Sequence, residues 1–157
     1  MSFRIAGLDP AAFLPLFALD DDSLAGRGIV RRTVTAKPGF PCRITLDDAE
    51  PGERVLLLNH KSHAAGPYTH RYAIYVRECA RKAADYIDAL PPVLCGPRPL
   101  ALRLFDGSGM LAGAELCLRG EISTLAAIER NLARPDIAEI HVHNAAHGCF
   151  AARVVRC

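Results

Sequence analysis

Hydrophobic and polar positions alternate along this chain in short blocks, separated by proline, glycine and acidic turns, the pattern of a strand-rich protein. The clearest block is the last. Residues 137–155 (IAEIHVHNAAHGCFAARVV) read as a strand, a tight polar turn and a second strand. Before it, residues 100–106 (LALRLFD) and 110–118 (MLAGAELCL) form two strands joined by Gly107-Ser108-Gly109, a hairpin signal. Between these hairpins the spacing predicts a helix over 123–134, with Ile122, Leu125, Ile128 and Leu132 on one apolar face and Pro135 as its stop.

The first half is less regular. Residues 2–8 alternate as a short strand, and Asp9-Pro10 is N-cap chemistry for a short helix interrupted at Pro15. Asp20, Asp21 and Asp22 with SLAGRG read as a polar loop, and residues 29–36 (IVRRTVTA) as a β-branched strand. Lys37-Pro38-Gly39 is a turn, after which residues 40–46 (FPCRITL) are expected to return as the partner strand. Residues 54–59 (RVLLLN) have the length and continuous apolarity of a buried strand. HKSHAAGPYTH reads as a loop, residues 72–77 as a strand, and residues 78–90 as a short helix ending at Pro91-Pro92. The order predicts an α+β fold: one domain over 1–157, mostly antiparallel β-sheet, with two or three short helices packed against one face.

Composition narrows the function classes. A formal charge of +2, with basic residues scattered along the chain, gives no basis for nucleic acid or an anionic membrane as partner. No apolar run approaches the ~20 residues a membrane helix needs. The first residues lack the charged and apolar regions of a signal peptide, so a cytoplasmic location is expected. The six cysteines include no close pair, which argues for reduced thiols and against a zinc ribbon.

The candidate chemistry lies in the last hairpin, which holds three of the six histidines. In an extended strand His141 and His143 share one face while Ile140 and Val142 take the other. At a rise of ~3.3 Å per residue the two imidazoles are close enough to grip one metal ion. Further ligands would come from His147, Cys149, Cys42, Glu139 or the loop carrying His60, His63 and His70. A second reading makes Cys149 a nucleophile with His143 as base and Asn144 as orienting group, serving a thiol-dependent enzyme or a small-molecule site. Cys42 and Arg43 would be brought alongside for binding, an arginine beside a thiol favouring the thiolate. Gly148 would give close backbone access. A third reading is structural: Asn144 caps the turn and Gly148 takes positive φ, in a non-catalytic interaction module.

These blocks carry a resemblance. GFPCRITLDDAEPGERVLLLN (39–59), Pro67-Tyr68, IYVRE (74–78) and HVHNAAHGCFAARV (141–154) together resemble the bacterial domain-of-unknown-function family 1203. The resemblance implies a small single-domain protein with no assigned activity. It carries over no catalytic residue and no cofactor. It implies that Pro41-Cys42-Arg43, His143-Asn144-Ala145 and Gly148-Cys149 belong to the shared pattern. His147 and the His60/His63/His70 loop look peculiar to this chain.

Overall fold

A computed structural model describes residues 2–118 and 120–157. In chain order it contains β1 (Phe3–Ala6), α1 (Leu14–Phe17), α2 (Asp21–Ala25), β2 (Val30–Thr33), β3 (Arg54–His63), β4 (His70–Arg77) and β5 (Asp85–Ile87). Then follow β6 (Leu100–Phe105), β7 (Leu111–Cys117), α3 (Glu121–Leu132), β8 (Glu139–Asn144) and β9 (Phe150–Arg156). Six strands form one sheet in the order β5-β1-β9-β8-β6-β7, and β2-β3-β4 form a second. Every strand pairing among the described residues is antiparallel. The architecture is α+β and mostly β, as the alternation predicts. No helix among the described residues is long and apolar enough to cross a membrane.

Each sheet has its own core. Helix α3 lies on the six-stranded sheet, where Ala127, Ile128 and Leu132 pack with Leu102, Ile140 and Val142. The short helices α1 and α2 accompany the other sheet: Phe13 and Leu24 are buried with Leu56, Leu58, Ile74 and Val76. The register of α3 differs from its sequence reading at one end. Ile122 is 85% exposed, and the buried stripe runs through Thr124, Ala127, Ile128, Asn131 and Leu132. That stripe has the same three-and-four spacing, begun two residues later.

Three local expectations are corrected. Residues 78–90 form no helix: β5 lies in this segment and pairs with β1. Two polar locks hold it there. Arg4 donates twice to the Asp85 carboxylate, at 2.7 and 3.1 Å, and Asp88 accepts from Ser2 and the Phe3 N–H at 2.8 Å each. Residues 40–46 do not pair with β2, whose partner is β3. They turn around the buried Cys42 sulfur, which accepts backbone N–H groups of Ile44, Thr45 and Arg77 at 3.3–3.5 Å. The acidic stretch closes a helical turn, α2, with Asp20 capping the Ser23 N–H at 2.7 Å.

The predicted loop before β4 also differs. Strand β3 runs on to His63 and β4 begins at His70, so the two histidines face each other in register across the hairpin end. At the opposite end Arg77 donates to Glu53 at 2.6 Å. This bond is the main reason the Glu53 carboxyl is held down at about 2. A depressed carboxyl contributes stability above its unfolded pKa of about 4.3. That contribution is lost as the pH falls through about 2. Glu53→Gln should therefore lower stability near neutrality in urea titrations, and the gap from wild type should close under acid. In the other core, Ile128→Ala is expected to cost about 2–5 kcal/mol. Ile122→Ser should change stability by less than about 0.5 kcal/mol.

A four-histidine cluster and a buried arginine flank the last hairpin

Strand β8 alternates as its sequence dictates. Ile140 and Val142 enter the core beneath α3, while His141 and His143 stand on the opposite face, 1% and 3% exposed. Pairing with β6 sets Arg103 opposite His141 and Phe105 opposite Glu139. The pairing with β9 slips between Val142 and His143, so that His143 meets Phe150 and Ala151 is the extra residue of a bulge. The Phe150 ring accordingly stands 5.4 Å from that of His141 and 6.0 Å from that of His143.

The open end of the β3–β4 hairpin meets this face. His63 stacks on Phe105 with centroids 4.2 Å apart and meets His141 edge-on at 5.2 Å. His70 lies 6.2 Å from His141 and 5.9 Å from His143. Four histidines from two sheets thus share one aromatic seam.

Each ring has one nitrogen engaged. His70 Nδ1 lies 2.5 Å from the Tyr68 carbonyl, His143 Nδ1 lies 2.9 Å from the Gly148 carbonyl, and His63 Nε2 lies 2.8 Å from the Gly109 carbonyl. A carbonyl only accepts, so those nitrogens carry the proton. His141 Nε2 donates to Glu139 at 3.0 Å, and Glu139 also accepts from Arg153. These contacts hold the Glu139 carboxyl down at about 2, His141 contributing most. The opposite nitrogens, His70 Nε2, His141 Nδ1 and His143 Nε2, are buried without a hydrogen-bond partner. One nitrogen from each of these three rings lies within 4.8 Å of the other two. Burial depresses the pKa of His70 and pushes that of His143 down to about 4, so neutral imidazoles with free lone pairs are the favoured state. Neutral imidazoles, each oriented by a carbonyl or carboxylate behind it, are a metal donor set.

The same hairpin presents other groups elsewhere. Neither nitrogen of His143 bonds to Cys149, one being taken by Gly148 and the other unpartnered. The thiol's partners are Asn144 Nδ2 at 3.2 Å and Arg43 Nη2 at 4.0 Å. The sequence-derived trio therefore divides: Asn144 and Cys149 stay together, while His143 joins the cluster. Gly148 takes φ +69° within the turn, which closes through Gly148 N–H to the Asn144 carbonyl at 2.7 Å. Arg43 lies beside Cys149, whereas Cys42 is fully buried among backbone N–H groups. His147 is exposed on the turn, and the His60 ring lies 6.2 Å from Phe13. His63 and His70, read in sequence as loop residues that could supply further ligands, join His141 and His143 in the cluster. The signal that places them is β3 alternation carried on through His63, with His70 as its hairpin partner.

A family model described as a protein of unknown function, DUF1203, matches residues 39–156. No curated protein and no solved structure matches the chain.

The depressed His143 pKa has a definite sign. The unfolded ring protonates near pH 6.5. Stability from keeping it neutral is therefore complete above that pH and falls away as the pH drops toward about 4. With chelator present, the His143 ring resonances are expected to titrate near pH 4 rather than 6.5. An ordinary midpoint would refute the buried, uncharged state.

Proposed function

The chain belongs to the DUF1203 family, and from its own geometry we propose that it is a metal-binding protein. In this reading His70, His141 and His143 hold one divalent transition-metal ion. One observation carries it: three imidazoles from two sheets each bring a nitrogen within 4.8 Å of the other two, and each has a buried nitrogen with no hydrogen-bond partner. A buried polar atom left unpaired costs about 1–3 kcal/mol, so three together are a strained arrangement that a shared ion relieves. Three nitrogens on a tetrahedral ion at about 2.0–2.1 Å stand roughly 3.3 Å apart. All-imidazole ligation suits zinc, copper, nickel or iron rather than calcium or magnesium, and zinc fits the neutral tetrahedral set.

The ion's role follows from where its ligands originate. His70 belongs to the three-stranded sheet and His141 and His143 to the six-stranded one, so the metal clamps one sheet to the other. A fourth coordination position remains. With His141 and His143 nearly sealed from solvent, it admits water more readily than a large substrate. No two of the six cysteines form a close pair in sequence, which supports a reducing, cytoplasmic setting in which such a site uses nitrogen ligands.

Chelator-stripped protein should take up one equivalent of zinc per chain in calorimetric titration. At free zinc one hundred times Kd the fold should gain about 2.7 kcal/mol. His70→Gln or His143→Gln should weaken binding at least about 100-fold, while His147→Ala should bind as wild type. Absence of stoichiometric uptake, or undiminished uptake by the His70 and His143 variants, would remove the proposal.

A further inference from the structure

On the other side of the hairpin, Arg43 is a buried guanidinium, 3% exposed, with no carboxylate within ion-pair distance among the described residues. Its Nε donates to the Phe150 carbonyl and its Nη1 to the Pro41 carbonyl, both at 2.7 Å. Those dipoles fix the plane of the fork and leave Nη2 directed at Cys149 Sγ. Asp48 is the acidic residue lining the same cavity, but its Oδ1 is spent on the Gly39 and Phe40 N–H groups at 2.8 and 2.9 Å. A buried cation lacking a carboxylate is costly unless another anion answers it. Within hydrogen-bond reach of its remaining nitrogen stands the Cys149 thiol, a group that can become an anion.

The remaining thiols have different surroundings. Cys79 donates to the Glu53 carboxylate at 3.2 Å, and Cys95 donates to the Leu90 and Pro91 carbonyls, arrangements that hold the proton on sulfur. Cys117 is buried and its pKa is raised by that burial. Cys42 accepts three N–H groups but is sealed from solvent. Cys149 combines partial exposure with donors aimed at sulfur, one of them cationic. Arg43 and Asn144 also line a neighbouring cavity of about 120 Å³, while Cys149 itself reaches solvent through its partial exposure.

We propose that Cys149 is this protein's reactive thiol, held as a nucleophile by Arg43 and Asn144 and open to oxidation by small peroxides. The thiolate attacks one peroxide oxygen, forming an S–O bond as the O–O bond breaks. The electron pair leaves on the far oxygen as hydroxide, which takes a proton from solvent and departs as water. Sulfur is oxidised by two electrons to the sulfenic acid, and the peroxide is reduced. Arg43 stabilises the negative charge as it moves from sulfur to the leaving oxygen. The site is independent of the histidine cluster, and the test below is run in chelator so that the two are separable.

The full-length protein is treated with limiting iodoacetamide across pH 5 to 9, and each cysteine is quantified by peptide mass spectrometry. Cys149 is expected to label about ten-fold faster than exposed Cys157 at neutral pH. Hydrogen peroxide followed by dimedone should tag Cys149 before the other thiols. Arg43→Lys and, on the turn surface, Asn144→Ala should each slow Cys149 several-fold while leaving Cys157 unchanged. If Arg43→Lys does not fold, the wild-type rates and Asn144→Ala decide the matter. Labelling of Cys149 at the Cys157 rate overturns the proposal, as does an undiminished rate in Asn144→Ala together with any folded Arg43→Lys.

Discussion

An imidazole buried away from water must find a partner for each nitrogen, and where these two sheets meet, three of them lack one. The surrounding structure is arranged so that the other nitrogen of every ring is satisfied by a carbonyl or a carboxylate. That fixes which nitrogen is left free and where it points. The β3–β4 register sets His70 opposite His63, β8 alternation puts His141 and His143 on one face, and the β9 bulge brings Phe150 beneath them. Packing of α3 on the far side holds β8 in place by burying Ile140 and Val142. Sheet geometry and the orientation of these nitrogens are thus one arrangement, and in the proposed reading an ion satisfies them.

The hairpin β8–β9 serves two kinds of chemistry because strand parity sends neighbours in opposite directions. His143 turns toward His70, while Asn144, its immediate neighbour, meets Cys149 and lines the Arg43 cavity. Adjacency in sequence suggests one constellation; alternation along the strand makes two. A histidine cluster and a thiol beside an arginine lie on either side of the same short turn, with no bond between His143 and Cys149.

Much of this was legible from the chain. Period-two alternation located the β6–β7 and β8–β9 hairpins, and β8 parity correctly put His141 and His143 together away from the core. What was not legible depends on contacts distant in sequence. Residues 78–90 have a helix-like composition, yet Arg4 and the Phe3 N–H, some eighty positions away, draw Asp85 and Asp88 into an edge strand. Cys42 gathers N–H groups from its own loop and from β4, so residues 40–46 coil instead of extending. His63 and His70 look like loop residues because glycine and proline lie between them, and only hairpin closure shows that they complete the cluster.

The most direct test of the metal reading is anomalous diffraction at the zinc edge from crystals of zinc-loaded protein. One peak is predicted, about 2.0–2.1 Å from His70 Nε2, His141 Nδ1 and His143 Nε2. A peak about 2.3 Å from a cysteine sulfur instead, or none at the histidines, would contradict it.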